Sequence, residues 1–176
     1  MNKHTLPVIG FSLLLLITSC KKTDVQQENN LASPAATTVA TASSTASVSD
    51  WKTLSNWNSS KSEKFTSYSA IVEDSSISNA VAGAGLVLAF VKNGNTVSAL
   101  PFEEKGSSNS YTYYQVARGS IIFSSDVYSG TSSMNAASFK YFVFSPEQLK
   151  DLEAKGHSKA ELLQLSYEGL TAVVNK

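Results

Sequence analysis

Six short segments between residues 65 and 144 have the composition of β-strands, and this succession constrains the fold more than any other feature of the chain. They are rich in β-branched and aromatic residues and alternate with turn-forming residues. No long crossover helix separates them, as parallel strands would require. The last segment is apolar on both faces except at Lys140, which predicts a central strand. The sequence therefore predicts a mainly β fold, either an antiparallel β-sandwich or a small barrel. The predicted strands are residues 65–72, 85–92, 96–102, 111–118, 120–128 and 139–144.

The first hairpin is predicted at Asn93-Gly94. Asn-Gly between apolar runs is the strongest short hairpin signal, because both central residues of a type I′ turn need a positive φ. This turn would place Phe90 opposite Val97. Pro101 lacks an N–H, so it would end the pairing or lie at a sheet edge. The predicted buried face contains Leu86, Leu88, Phe90, Val97 and Ala99.

A second hairpin is predicted at Arg118-Gly119. A tight turn there would pair Val116 with Ile121 on an apolar inner face. Because neighbouring strand residues point to opposite sides of a sheet, Tyr111 and Tyr113 would then lie on the outer face.

The C-terminal region is expected to contain one or two short helices. Ser145-Pro146-Glu147-Gln148 combines an N-cap, a proline at the first helical position and a capping-box glutamine. Gly156 is placed to end this helix. Ser158-Lys159-Ala160-Glu161 is a second capping box. We expect both helices to pack at one end or edge of the β structure.

Residues 1–19 are predicted to be a lipoprotein signal peptide. Lys3 precedes an apolar core, LLLLI, that is shorter than the roughly 20 residues a transmembrane helix needs. The sequence Ile17-Thr18-Ser19-Cys20 resembles a bacterial lipobox, which implies that Cys20 is lipidated and begins the mature chain. An ordinary secretory signal with a chance cysteine and an uncleaved anchor are the alternatives. The residue immediately after Cys20 is not an aspartate, which favours attachment to the outer membrane, on its periplasmic face or at the cell surface.

Residues 20–49 are predicted to be the lipidated cysteine and a flexible linker. Ala, Ser and Thr make up 15 of the 19 residues from 31 to 49, so this stretch has little apolar surface to offset its ordering entropy. Both Trp, all seven Tyr and seven of the eight Phe lie in residues 50–176. We therefore expect that region to form a single β-rich domain.

Several local patterns occur at residues 85–92, 100–102, 119–123, 139–144 and 165–168. These stretches resemble those of uncharacterised lipoproteins from Bacteroidota, in which a lipobox and a linker precede one β-rich domain. The resemblance supports the fold and the membrane address, and it implies no catalytic residue.

The composition limits the chemistry of the chain. Lys and Arg together number 14, and so do Asp and Glu, which argues against a nucleic-acid partner. The single Cys and two His provide no recognisable metal site, and no metal or cofactor is expected. The sequence contains no nucleophile elbow, Walker A or EF-hand motif. His157 is expected at the surface, and the pairs Glu73-Asp74 and Glu103-Glu104 are expected to be solvated turn charges.

The aromatic residues are the one group with functional potential. Trp51 and Trp57 are expected to contribute to packing. Tyr111 and Tyr113 are candidate ligand-binding residues because the predicted register places them on the outer face, and Tyr128 lies near a strand end. The expected function is that of a non-enzymatic, lipid-anchored envelope module that binds a glycan, a peptide or an envelope protein. A structural accessory subunit of an envelope complex is the alternative.

Overall fold

The computed structural model describes residues 46–106, 108–130 and 136–176. The predictions for the signal peptide, for Cys20 and for most of the linker fall outside these residues. The strands are β1 (Ser47–Val48), β2 (Lys52–Thr53), β3 (Asn58–Lys61), β4 (Thr66–Glu73), β5 (Leu86–Asn93), β6 (Thr96–Ala99), β7 (Phe102–Glu104), β8 (Asn109–Ala117), β9 (Ser120–Ser129) and β10 (Ser138–Phe144). The helices are α1 (Asn79–Ala84), α2 (Pro146–Ala154), α3 (Lys159–Leu162) and α4 (Tyr167–Val174).

The strands form two antiparallel sheets. Sheet A has the order β1-β10-β5-β6, with β2 also paired to β10. Sheet B has the order β3-β4-β9-β8-β7. The prediction of a mainly β fold is confirmed, and of its two alternatives the separate sheets correspond to the β-sandwich.

The first hydrophobic core lies between the two sheets. Phe123 of sheet B packs against Phe139 of sheet A with ring centroids 4.6 Å apart. Burying side chains of this size stabilises the fold by roughly 1.5–3 kcal/mol each. This core consists of Leu54, Ala70, Val72, Ile77, Val81, Val87, Ala89, Val91, Leu100, Ile121, Phe123, Ala137, Phe139, Tyr141 and Val143.

The second core lies on the outer face of sheet A, beneath the C-terminal helices. β5 and β10 are therefore buried on both faces, which confirms the central position predicted for residues 139–144. The prediction that the helices pack at an end or edge is wrong, because Phe142 and Phe144 need cover on this face. The second core consists of Leu86, Leu88, Phe90, Phe142, Phe144, Leu152, Leu162, Leu170 and Val174.

The first predicted hairpin exists, but its register differs from the prediction by two residues. Asn93 pairs with Thr96, so Gly94-Asn95 forms the turn, and Gly94 has a φ of 58°. Phe90 consequently lies opposite Ala99. A shift of two residues leaves every side chain on its predicted face, but Ala99 on the edge strand β6 is exposed.

The second predicted hairpin is confirmed. Val116 pairs with Ile121, and Gly119 has a φ of 76° in the turn. The segment predicted as one strand, 96–102, instead divides at Pro101 into β6 of sheet A and the beginning of β7 of sheet B. Proline has no N–H for the ladder, and here the chain passes from one sheet to the other.

The helix boundaries follow the predicted caps. Ser145 and Gln148 form the capping box of α2, Gly156 follows α2 with a φ of 92°, and Ser158 caps α3. The sequence predicts one or two C-terminal helices, whereas the structure has three, because Ser166 caps a further helix, α4.

Two segments that were assigned to no strand or helix from the sequence have regular structure. Ser47 and Val48, which the sequence analysis placed in the linker, form β1 against β10. A helix that the sequence analysis missed, α1, precedes β5 and is capped by Ser78. Its formation is coupled to the sandwich because its residue Val81 is buried in the first core.

Candidate functional site

The outer faces of the two sheets have different environments. Helices cover that of sheet A, whereas that of sheet B carries exposed side chains. Alternate residues of β4, β8 and β9 point outward on sheet B, as the register requires. Ile71 is 50% exposed there, and Tyr111 is 39% exposed. The outer face of sheet B is therefore the candidate interaction surface of the domain.

Tyr111 and Tyr113 lie next to each other on this face, where the predicted register placed them. Their rings stack with centroids 5.6 Å apart and an interplanar angle of 27°. Each ring therefore covers one face of its neighbour. Tyr111 is exposed and Tyr113 is half-buried, so the pair offers aromatic surface to an incoming ligand.

Acidic residues flank Tyr111 on both neighbouring strands. Glu103 of β7 and Asp126 of β9 are its cross-strand partners. The Ser67 hydroxyl donates a hydrogen bond to Asp126, and the ammonium of Lys105 lies 3.2 Å from the Glu103 carboxylate. The tyrosine pair thus combines aromatic surface with hydrogen-bonding groups, as ligand-binding surfaces commonly do.

A cleft of about 650 Å³ opens where the β3–β4 hairpin meets the end of β9. This volume lies within the roughly 300–1,000 Å³ of typical ligand sites. Its lining includes Trp57, Lys61, Lys64, Phe65, Tyr68 and Tyr128. Trp57 and Tyr128 are among the aromatic residues singled out from the sequence, but the cleft itself is not predicted from it. Its only sequence signal is the aromatic residue at each of two strand ends, Phe65 and Tyr128, which become neighbours only when β4 pairs with β9.

Both tryptophans contribute to packing, as predicted. Trp57 packs against the first core, with its ring centroid 5.7 Å from that of Phe139, and its indole N–H donates a 2.9 Å hydrogen bond to the Leu54 carbonyl. Trp51 packs against the second core, 5.4 Å from the ring of Tyr167. The ammonium of Lys140 lies 5.9 Å from the Trp51 ring, in cation–π range.

The two acidic pairs differ from the prediction of solvated turn charges. Glu73 is exposed, but Asp74 accepts hydrogen bonds from the Ser76 amide at 2.8 Å and the Tyr141 hydroxyl at 2.7 Å. Glu103 and Glu104 lie within β7, and the Ser110 hydroxyl donates to Glu104. The prediction of a solvated charge fails most clearly at Asp74, because its partner Tyr141 lies 67 residues further along the chain.

The pKa values of Asp74 and Tyr141 follow from this contact. Burial alone would raise the pKa of Asp74, but hydrogen bonds from Ser76 and Tyr141 and the charge of Lys52 hold it below its usual value. Burial and the neighbouring carboxylate raise the pKa of Tyr141 well above its usual value. The pair therefore stays as phenol and carboxylate near neutral pH, as a structural contact between the two sheets.

His157 lies at the junction between α2 and α3. Its Nδ1 atom is 3.3 Å from a carboxylate oxygen of Glu161, one helical turn away. The ring is half-buried, so the expectation of a surface histidine holds only in part. Across the described part of the chain, no cluster of three or more His, Cys, Asp and Glu side chains is arranged to hold a metal ion. Within the same residues, no helix is both long and apolar enough to span a membrane.

Comparison with known proteins found no matching protein-family model, no matching curated protein and no matching solved structure. The chemistry of the candidate surface therefore rests on its own residues.

Proposed function

We propose that this protein is a lipid-anchored component of the bacterial envelope that acts as a non-enzymatic binding module. Acylated Cys20 would hold the chain at the outer membrane, and the outer face of sheet B would contact the ligand or partner. The observation that carries the proposal is the asymmetry of the sandwich. Helices bury the outer face of sheet A, whereas that of sheet B stays exposed with the stacked pair Tyr111 and Tyr113 at its surface.

Physical chemistry favours this surface for recognition. Tyrosine supplies a large, amphipathic contact area and loses little conformational entropy, because only two side-chain torsions are ordered on binding. The carboxylates of Glu103 and Asp126 flank Tyr111 and add hydrogen-bond acceptors. The partner classes compatible with such a face are a glycan, a peptide or an envelope protein.

Metabolic labelling tests the anchor. Cys20 is the only cysteine of the chain, so thioether-linked acyl label has a single possible site. We expect the wild-type protein to incorporate labelled fatty acid and to fractionate with membranes, because two or more acyl chains give stable anchoring. Cys20→Ser should lose the label. A Cys20→Ser variant that keeps both label and membrane attachment would exclude Cys20 as the anchor.

Binding measurements test the proposed surface. The full-length protein, purified from membranes in detergent, would be applied to glycan arrays. In a separate experiment, the protein would be crosslinked to its neighbours in native membranes. We expect Tyr111→Ala and Tyr113→Ala to weaken capture of the bound species. Leu163→Ala is the control, because Leu163 is exposed at the end of α3 and does not lie on sheet B. Equal capture by the tyrosine variants and the control would remove this surface from the proposal.

A structural accessory subunit of an envelope complex is the second candidate. The half-exposed Ile71 favours it, because an aliphatic side chain on the same face suits a protein partner. Crosslinking separates the two functions. A stoichiometric protein partner without glycan or peptide binding would support the accessory role, and Ile71→Ser should then reduce the crosslinked product.

A further inference from the structure

We propose that the cleft between the β3–β4 hairpin and the end of β9 binds an acidic sugar, namely a pyranose unit that carries a carboxylate. The cleft is distinct from the stacked pair Tyr111 and Tyr113, neither of which lines it. The inference therefore goes beyond the proposed function and can stand or fail independently of it.

Two aromatic residues lie together in the lining of the cleft. Phe65 and Tyr128 lie side by side, with ring centroids 5.6 Å apart, and their planes are tilted by 56°. Because the rings are not stacked, they do not cover each other's faces as Tyr111 and Tyr113 do. Tyr128 is 54% exposed. The electron-rich face of such a ring suits the weakly positive C–H groups on the flat side of a pyranose.

Hydroxyl-bearing residues are abundant around the cleft. Its lining includes Ser55, Ser59, Thr66 and Ser129 together with the aromatic residues. A hydroxyl donates one hydrogen bond and accepts others, so it can match the hydroxyl groups of a sugar in either role. A cleft built from aromatic faces and hydroxyls suits a sugar ring better than a purely apolar ligand.

The residues that line the cleft carry an excess of positive charge. The lining contains Lys61 and Lys64 but only one acid, Glu63, although the whole chain has no formal net charge. Among residues 46–106, 108–130 and 136–176, no carboxylate forms an ion pair with either lysine. Two ammonium groups beside one carboxylate favour an anionic ligand, and the carboxylate of an acidic sugar supplies the complementary charge.

The turn that carries these charges is ordered by its own hydrogen bonds. The Ser62 hydroxyl donates to the Phe65 carbonyl at 3.0 Å and accepts from the amides of Lys64 and Phe65. The Ser62 amide also donates to the Phe65 carbonyl. The backbone beneath Lys64 and Phe65 is therefore held in place before binding, which lowers the entropy cost of recognition.

Calorimetry on the full-length protein in detergent tests the inference. The probes are oligogalacturonate, oligomannuronate and hyaluronan fragments, each paired with its carboxyl-reduced, uncharged form. We expect at least one acidic probe to bind, and its reduced form to bind about tenfold more weakly. Raising the salt concentration should weaken binding of the acidic probe, since salt screens the attraction between exposed charges.

Variants locate the binding within the molecule. We expect Tyr128→Ala to lower the affinity for the acidic probe about tenfold. We expect the same loss of affinity in the double variant Lys61→Ala with Lys64→Ala. Lys150→Ala is the matched control, because Lys150 is an exposed lysine of α2 that does not line the cleft, and circular dichroism of each variant checks the fold. The double variant keeps the test valid if Tyr128→Ala fails to fold.

Three results would overturn the inference: no acidic probe binds, the reduced probes bind equally well, or the cleft variants bind as the wild type does. The two proposals fail in different ways. If Tyr111→Ala weakens the acidic probe and the cleft variants do not, the cleft is excluded and the proposed surface stands. If the reverse holds, the cleft binds the sugar without help from Tyr111.

Discussion

The Tyr141 hydroxyl, in the centre of sheet A, donates a 2.7 Å hydrogen bond to the carboxylate of Asp74, which directly follows β4 of sheet B. A second phenol links the sheets in the opposite direction, because Tyr114 of β8 donates at 2.7 Å to the Val87 carbonyl of β5. β6 pairs only with Phe90–Asn93 of β5, so the Val87 carbonyl lies beyond the end of that ladder. Tyr114 gives this carbonyl a hydrogen-bond donor. Directional bonds of this kind specify how two apolar faces align, which hydrophobic burial alone does not.

The contact between Tyr141 and Asp74 predicts a pH dependence of the unfolding free energy. The pKa of Asp74 is lower in the folded protein than its usual 3.8, so its contribution is present above that pH and is lost as the pH falls further. The pKa of Tyr141 is raised above its usual 10.0, so its contribution is present below pH 10 and is lost as the pH rises beyond it. Urea unfolding at pH values from below 3.8 to above 10.0 measures both losses of unfolding free energy.

We expect Tyr141→Phe to lower the unfolding free energy at pH 7 by about 1–2 kcal/mol, because a hydrogen bond to a charged group is lost. The variant should also show weaker dependence on pH at both limits. Tyr114→Phe is the control, since its acceptor is an uncharged carbonyl. Acid unfolding curves of the same shape for wild type and Tyr141→Phe would contradict the assignment.

Gly85 is expected to tolerate no side chain. A Cβ there would lie 2.5 Å from the Phe144 carbonyl oxygen and 2.7 Å from the Val81 Cα, and neither backbone group can move freely. We predict that Gly85→Ala lowers the unfolding free energy by about 2–3 kcal/mol. Gly83→Ala has open space around its Cβ within α1 and should be neutral or stabilising by up to about 1 kcal/mol. Thermal denaturation compares the two, and similar melting temperatures would refute the predicted clash.

The adjacent residues Leu162 and Leu163 are expected to contribute very differently to the unfolding free energy. Leu162 is 1% exposed in the second core, whereas Leu163 is 57% exposed. Leu162→Ala should destabilise the protein by about 2–5 kcal/mol through lost burial and a cavity, and Leu163→Ala by less than about 0.5 kcal/mol. Chemical denaturation measures both changes. Equal effects would mean that the helices do not cover sheet A as described.

Ser49 is predicted to complete the pairing of the first residues with β10. Its amide donates to the Tyr141 carbonyl, and its hydroxyl accepts from the Tyr141 amide, both at 3.0 Å. Ser49→Ala would leave that amide unpaired, which should cost about 1–3 kcal/mol. Ser47→Ala is the control, because Ser47 is exposed in β1. Amide hydrogen exchange at Tyr141 should accelerate in Ser49→Ala alone, and unchanged protection there would argue against this role.

Local patterns predicted most of the strands and helix caps. The hairpin at Gly119 has the predicted register. A two-residue turn at Arg118-Gly119 keeps Val116 opposite Ile121 and also puts the glycine at a position with positive φ. At residues 93–95, the sequence Asn-Gly-Asn allows two such turns that differ in register by two residues. Both keep the same side chains on the same face, so alternation cannot distinguish them.

The candidate site was only partly predictable. Tyr111 and Tyr113 were placed on an outer face by strand alternation, which depends on neighbouring residues alone. Their stacking geometry, and the joining of Phe65 to Tyr128 at the cleft, required the side-chain arrangement and the pairing of β4 with β9. Asp74 was expected in solvent because its partner Tyr141 lies 67 residues further along the chain.

The amino-acid sequence by itself determined the β class, the turn at Gly119, the caps at Ser145 and Ser158 and the central position of β10. These features depend on backbone preference and on alternation over a few residues. Tertiary structure decided which outer face the helices cover and which one stays exposed. It did so because Phe142 and Phe144 are buried only when helices α2 to α4 fold back over sheet A, and short-range patterns carry no record of which surfaces meet in the folded chain.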